Sequence, residues 1–285
     1  MKLSYPFERA TDFLARLVQE PAVLVQIEST EGSVPREAGT WMAVFENDLI
    51  GTVGGGHLEH DAIARARTLL LLNGRGDDCM LSPQRLRVAL GPALGQCCGG
   101  VVHLCLERVS AEDVPVLSEK LRQTSKQSLR PAALFGGGHV GHALVRVLAN
   151  LPFTLTWIDS RDGVFPANVP ANVVCEHSDP IQAAVHHLAP GSRVLIMSFS
   201  HAEDLDVVAA CLQRQRVQGD LPYIGMIGSK TKWAVFRHRL EARGFSAAEL
   251  AHVTSPIGVA GIAGKEPEVI AVAVAAQLLQ TFGAH

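Results

Sequence analysis

The sequence predicts an α/β protein of two domains: an N-terminal α+β domain, then a doubly wound parallel sheet. Three observations predict it. The chain of 285 residues is long enough for two ordinary domains. Its apolar content is 47% but its aromatic content only 5%, so the core is built from Leu, Val, Ile and Ala, as in buried parallel sheets. From residue 131 onward, short aliphatic runs alternate with helical stretches, the signature of strand–helix–strand crossovers. The division reads as 1–115 for the first domain, 116–130 for a polar, basic helix end and linker, and 131–285 for the second domain.

In the first domain, Ala22 to Ile27, Trp41 to Phe45 and Asp48 to Ile50 read as strands. A helix is expected from about His57 to Leu72, where Leu58, Ala62, Ala66 and Leu69 fall on one stripe. In the second domain, strands are expected at Ala132–Phe135, Thr154–Asp159, Asn172–Cys175, Arg193–Ser198 and Tyr223–Ile227. Helical stretches are expected after Gly141, near 181–188, 201–215 and 231–243, and from Pro267, a favourable first-turn residue.

The formal charge of −3 shows no basic excess, which argues against a nucleic-acid binder. MKLSYPFERA carries no apolar signal segment, and no apolar run is long enough to span a bilayer; a cytoplasmic protein without membrane association is expected. Six cysteines without C-x-x-C spacing form neither a disulfide framework nor a zinc signature, and His186-His187 has no third ligand nearby, so no metal site is read there.

Two groups of residues carry chemistry. The first is Gly136-x-Gly138-x-x-Gly141, which follows an aliphatic strand and opens a helix. Asp159 ends the next strand 21 residues after Gly138, near the ~20 expected of a dinucleotide fingerprint. Gly136 permits the turn, Gly138 lets a pyrophosphate approach, Gly141 lets the helix pack, and Asp159 would accept from a ribose hydroxyl. Asp159 favours NAD over NADP; Arg161 weakens that preference. The bland alternative is a tight turn with close packing. His201 follows the fourth strand, where active groups are often placed, but Ser200 and Glu203 around it match a capping box.

The second group lies in the first domain: EGSVPREAG (Glu31–Gly39), GTVGGG (Gly51–Gly56) and LGPALGQCCGG (Leu90–Gly100). Gly54, Gly55 and Gly56 sit between a strand and a helix start, where an anion could be cradled, or where a turn simply packs tightly. Arg36 is a candidate clamp for a phosphate or carboxylate. Gln96-Cys97-Cys98, flanked by glycines, could bring a thiolate to a metal or sulfur centre; two small buried residues is the alternative. Cys79, Cys105, Cys175 and Cys211 read as structural.

These motifs, with FGGGHVGHALVRVLA, Phe165-Pro166, YIGMIGSKTK (Tyr223–Lys232) and the PIG…KEP ending (Pro256–Pro267), occur in an order that resembles the XdhC/CoxI family over nearly the whole chain. The resemblance implies an N-terminal cofactor-maturation domain and a C-terminal Rossmann-like domain. It implies a chaperone that binds the molybdenum cofactor (molybdopterin), protects it, supports its sulfuration by a cysteine desulfurase and inserts it into the xanthine dehydrogenase apoprotein. Gln96, Cys97 and Cys98 fall in the family's cysteine motif. The chain departs from the family pattern twice. Gly137 stands where alanine is expected, a change read as harmless. Ser198-Phe199-Ser200-His201 replaces a Thr-His-x-His pattern, leaving His201 alone. A homodimer is expected from the prevalence of two-fold assemblies. An NAD(P)-dependent oxidoreductase and a nucleotide-sensing module are the alternatives, with NAD(P) as ligand.

Overall fold

The computed structural model describes residues 6–71, 82–90 and 99–282. The chain forms two compact units, divided between Lys126 and Gln127.

The first unit runs α1 (Pro6–Leu17), β1 (Ala22–Glu31), β2 (Trp41–Val44), β3 (Leu49–Gly51), α2 (Gly56–Leu71), β4 (Gln84–Ala89), β5 (Val101–Val109) and α3 (Val114–Ser128). Its strands form one antiparallel sheet in the order β3-β2-β1-β5-β4. Side chains alternate along β1. Val23, Val25 and Ile27 pack with Leu58, Ala62 and Ala66 of α2 on one face. Ala22 and Leu24 pack with Phe13 and Leu17 of α1 and Leu117 and Leu121 of α3 on the other. The stretch read as a helix end and linker is thus helical from Val114 to Ser128, its apolar side buried against the first unit's sheet.

The second unit runs β6 (Arg130–Phe135), α4 (His139–Leu148), β7 (Phe153–Asp159), β8 (Val173–His177), a 3-10 helix (Ile181–His187), β9 (Arg193–Ile196), α5 (His201–Gln218), β10 (Tyr223–Met226), α6 (Lys230–Ala242), α7 (Ala247–Leu250), β11 (Val253–Thr254) and α8 (Pro267–Gln280). All six strands are parallel, in the order β11-β10-β9-β6-β7-β8. Counted within this unit, that is the 3-2-1-4-5-6 arrangement of a Rossmann-like sheet. Strand order reverses between β6 and β9, so a ligand crevice belongs outside the carboxyl ends of these two strands. Both faces are covered, which explains why β6, β9 and β10 are almost wholly buried. Cys211 lies deep in this core, where burial pushes its thiol up to about 12.

Candidate functional site

The crevice of the second unit is built around the three fingerprint glycines, and each meets different surroundings. Gly136 has φ +124°, and a Cβ there would lie 2.0 Å from the Met197 carbonyl oxygen at the end of β9. A Cβ on Gly141 would lie 2.2 Å from the Gly136 carbonyl oxygen. That oxygen also accepts from buried Trp157 Nε1 at 3.0 Å. Gly138 faces open space, with nothing within 4 Å of an added Cβ. Two glycines are therefore fixed by packing, and the middle one leaves the backbone approachable at the start of α4. Glycine at 137 is accommodated closely in this chain. A Cβ at 137 would lie 2.0 Å from Val164 Cγ1, so an alanine there would force Val164 or the loop to shift.

Asp159 is fully buried at the end of β7. Its Oδ2 accepts from the Gly137 N–H at 2.6 Å and from Arg161 Nη2 at 2.9 Å; its Oδ1 accepts from the Arg161 N–H and Arg161 Nε, both at 2.9 Å. The two carboxylate oxygens offer about four acceptor positions, and the chain fills them. Burial alone would raise this carboxyl, but the Arg161 and Gly137 donors outweigh it and hold it below the ordinary value of 3.8. A depressed folded-state value means that this stabilisation is present above pH 3.8 and is lost as pH falls through the lower folded value. Acid unfolding followed by circular dichroism should therefore show a low-pH loss of stability that is diminished in Asp159→Asn.

Ser198 and Asp204 close the other side of the crevice. Asp204 Oδ1 accepts from the Ser198 N–H at 2.8 Å and Ser198 Oγ at 2.7 Å, and its Oδ2 pairs with Lys232 Nζ at 2.6 Å. The predicted capping box is present. Ser200 Oγ accepts from the Glu203 N–H, and Glu203 accepts from the Ser200 N–H, each at 3.2 Å. His201 begins α5, exposed, with its ring edge-on to Phe236. Phe199, which stands where the family pattern has histidine, is 67% exposed and lies under the Arg161 guanidinium, 4.5 Å from its ring centre.

The first unit brings its own glycine segments together. A Cβ on Gly100 would meet the backbone oxygens of Ser33 and Glu31 at 2.5 and 2.6 Å, and one on Gly32 would touch Gly100 Cα. The Leu90 N–H donates to the Gly100 carbonyl at 2.8 Å, tying together the two ends of the segment between them. The same Gly32–Arg36 loop reaches the second motif. Pro35 and Arg36 side-chain carbons lie 3.2 and 3.3 Å from the Cβ position of Gly54. Arg36 is exposed and, among the described residues, makes no ion pair. Gly54, Gly55 and Gly56 all have positive φ, which glycine alone adopts without strain. Part of the expected anion cradle is filled from within, a feature the sequence reading missed. Glu59, in the first turn of α2, accepts from the Val53 and Gly55 N–H groups at 3.0 and 3.2 Å and from Thr52 Oγ1. The opening that remains lies beside Gly55, where an added Cβ meets nothing. Gln96, Cys97, Cys98 and Cys79 lie outside the described residues; the residue bonded to Cys98, Gly99, also faces open space.

Two family profiles match this chain, the XdhC Rossmann domain over residues 133–278 and the XdhC and CoxI family over residues 15–80. The chain belongs to the XdhC and CoxI family. It is 26% identical over 265 residues to YqeB of Escherichia coli strain K12, covering 91% of this chain but 43% of that protein. The chain thus spans less than half the length of that relative. A solved structure from Bacillus halodurans, described as a xanthine dehydrogenase, matches with a TM-score of 0.73 at 20% identity, over 96% of this chain and 95% of the other. That likeness establishes the fold.

The XdhC/CoxI chain holds one cluster in each unit. The second unit gathers Gly136, Gly138, Gly141 and Asp159, with His201 at the start of α5. The first gathers Arg36 with Gly54, Gly55 and Gly56. Among the described residues no group of three or more His, Cys, Asp or Glu side chains is placed to hold a metal, and no helix is long and apolar enough to cross a membrane.

Proposed function

We propose that this XdhC/CoxI protein is a maturation factor that holds the molybdenum cofactor and delivers it to a xanthine-dehydrogenase-type apoprotein. The observation that carries the reading is that the Gly32–Arg36 loop meets both Gly100 and Gly54 in the first unit, with Arg36 exposed and making no ion pair among the described residues. The donor set suits the ligand. Molybdopterin is a pterin with one phosphate and a dithiolene sulfur pair for molybdenum. A guanidinium fork binds a phosphate in bidentate fashion, and with the Val53 and Gly55 N–H groups already taken by Glu59 the phosphate contact falls to Arg36. Soft cysteine sulfur suits the metal or sulfur end, a role we assign to Cys97 or Cys98. When bound, the cofactor supplies redox chemistry that belongs to the acceptor enzyme; the residues of this chain bind, shield and release it. Arg36 is exposed and a single cation, so the hold it gives is one that an acceptor protein can compete away.

Within this reading the partners are a xanthine dehydrogenase apoprotein and a cysteine desulfurase that sulfurates the bound cofactor, and the carrier is a homodimer. The test is transfer. Incubating cofactor-loaded protein with apo-xanthine dehydrogenase should produce active enzyme, and the Arg36→Ala and Cys97→Ala proteins should produce less. Failure of the loaded wild-type protein to activate any such apoprotein contradicts delivery.

A further inference from the structure

A Rossmann-like fingerprint ends in a carboxylate that accepts hydrogen bonds from an adenosine ribose diol. In this chain the carboxylate is present, but its geometry does not fit that role. Asp159 is fully buried and already accepts four hydrogen bonds, two of them from the Arg161 fork. A plain diol has to displace Arg161, and it offers that cation no anion in return.

We infer that the crevice of the second unit takes a nucleotide carrying a 2′-phosphate, and that Arg161 is the residue that selects it. The Arg161 side chain is 36% exposed, and Phe199 presents a largely exposed ring beneath it. The guanidinium can therefore turn outward without leaving this aromatic support. A phosphate satisfies the same bidentate fork that Asp159 holds now. Once the fork leaves, Asp159 keeps the Gly137 and Arg161 N–H donors, and one position on each oxygen is open for the neighbouring 3′-hydroxyl. Gly138, with free space over it, leaves room for the pyrophosphate at the start of α4. Glu203 is close enough for its charge to act on Arg161, but its oxygens are held by Ser160 Oγ at 2.5 Å and the Ser200 N–H at 3.2 Å. With two carboxylates nearby, phosphate binding depends on Arg161.

This inference concerns the second unit alone and does not rest on the cofactor-carrying reading, so either can fail without the other. The experiment titrates the full chain with NADPH and with NADH, following nicotinamide fluorescence. NADPH should bind at least about tenfold more tightly, as expected when one ligand gains a bidentate arginine contact and the other loses it. Arg161→Ala should abolish the preference by weakening NADPH and strengthening NADH. Arg161→Lys keeps the charge without the fork and should retain part of the preference; it also serves if the alanine variant does not fold. Equal or tighter binding of NADH, binding of neither nucleotide, or a full preference surviving in a folded Arg161 variant would each overturn the inference.

Discussion

Gly136→Ala is expected to destabilise the second unit by more than about 4 kcal/mol, among the largest effects of a single substitution. The added Cβ would lie 2.0 Å from a backbone oxygen, at a residue whose φ of +124° already disfavours any side chain. Neither neighbour can give way. The Gly136 N–H is bonded to the Ile158 carbonyl and the Met197 N–H to the Phe135 carbonyl, each at 2.8 Å, so moving the loop breaks the ladder between β6 and its neighbours. Gly141→Ala should act similarly through the Gly136 oxygen, 2.2 Å away. Gly138→Ala is the control. Its φ is −78° and its surroundings are open, so stability should change by less than about 1 kcal/mol, as for mild changes at a helix N-cap. Denaturant unfolding followed by far-ultraviolet circular dichroism separates these outcomes. Equal losses at 136 and 138 would contradict the assignment of one glycine to packing and the other to ligand approach.

Asp204→Ala should cost about 3–5 kcal/mol, the usual loss when one partner of a buried ion pair is removed. Asp204 is 2% exposed, and its removal leaves Lys232 with the Ile227 carbonyl at 3.1 Å, Ser198 Oγ with the Ser200 carbonyl at 3.3 Å, and the Ser198 N–H without its acceptor. The pair also joins the segments that follow β9 and β10, so its loss should loosen the crevice wall. Pairing Asp204→Leu with Lys232→Met removes both charges and should recover part of the loss. A double-mutant cycle measures the coupling. A coupling near zero would show that Lys232 finds another partner.

The parallel sheet was legible because its strands are short aliphatic runs punctuated by glycine, and burial on both faces forces that composition. β4 and β5 were not read as strands. Both carried the signal: in β4, exposed Arg85 and Arg87 alternate with Leu86 and Val88, and in β5, His103 and Cys105 alternate with buried Val102, Leu104 and Leu106 until Glu107-Arg108 breaks the two-residue period. α1 was also passed over, although Phe13 and Leu17, four residues apart, anchor it in the core. Of the crevice, the tight turn at Gly136 and the close packing at Gly141 were legible from spacing. The close approach of Val164 to Gly137 was not, because Val164 lies far along the chain. Asp159 was placed at the right point, but spacing alone does not tell whether Arg161, two residues on, points at the ligand or back at the carboxylate. Glu59 had a readable signal, an acid three residues into a helix after a glycine turn, of the kind that reaches back to loop N–H groups.

As the proposed maturation factor, this XdhC/CoxI chain carries molybdenum cofactor. The most direct test is cofactor analysis of protein purified from a host that makes it, with molybdenum measured by elemental analysis and oxidised pterin by fluorescence. Near-stoichiometric pterin, reduced in Arg36→Ala and in Cys97→Ala while both variants keep the wild-type melting profile, is the predicted result. Neither pterin nor molybdenum on the wild-type protein from such a host would contradict it.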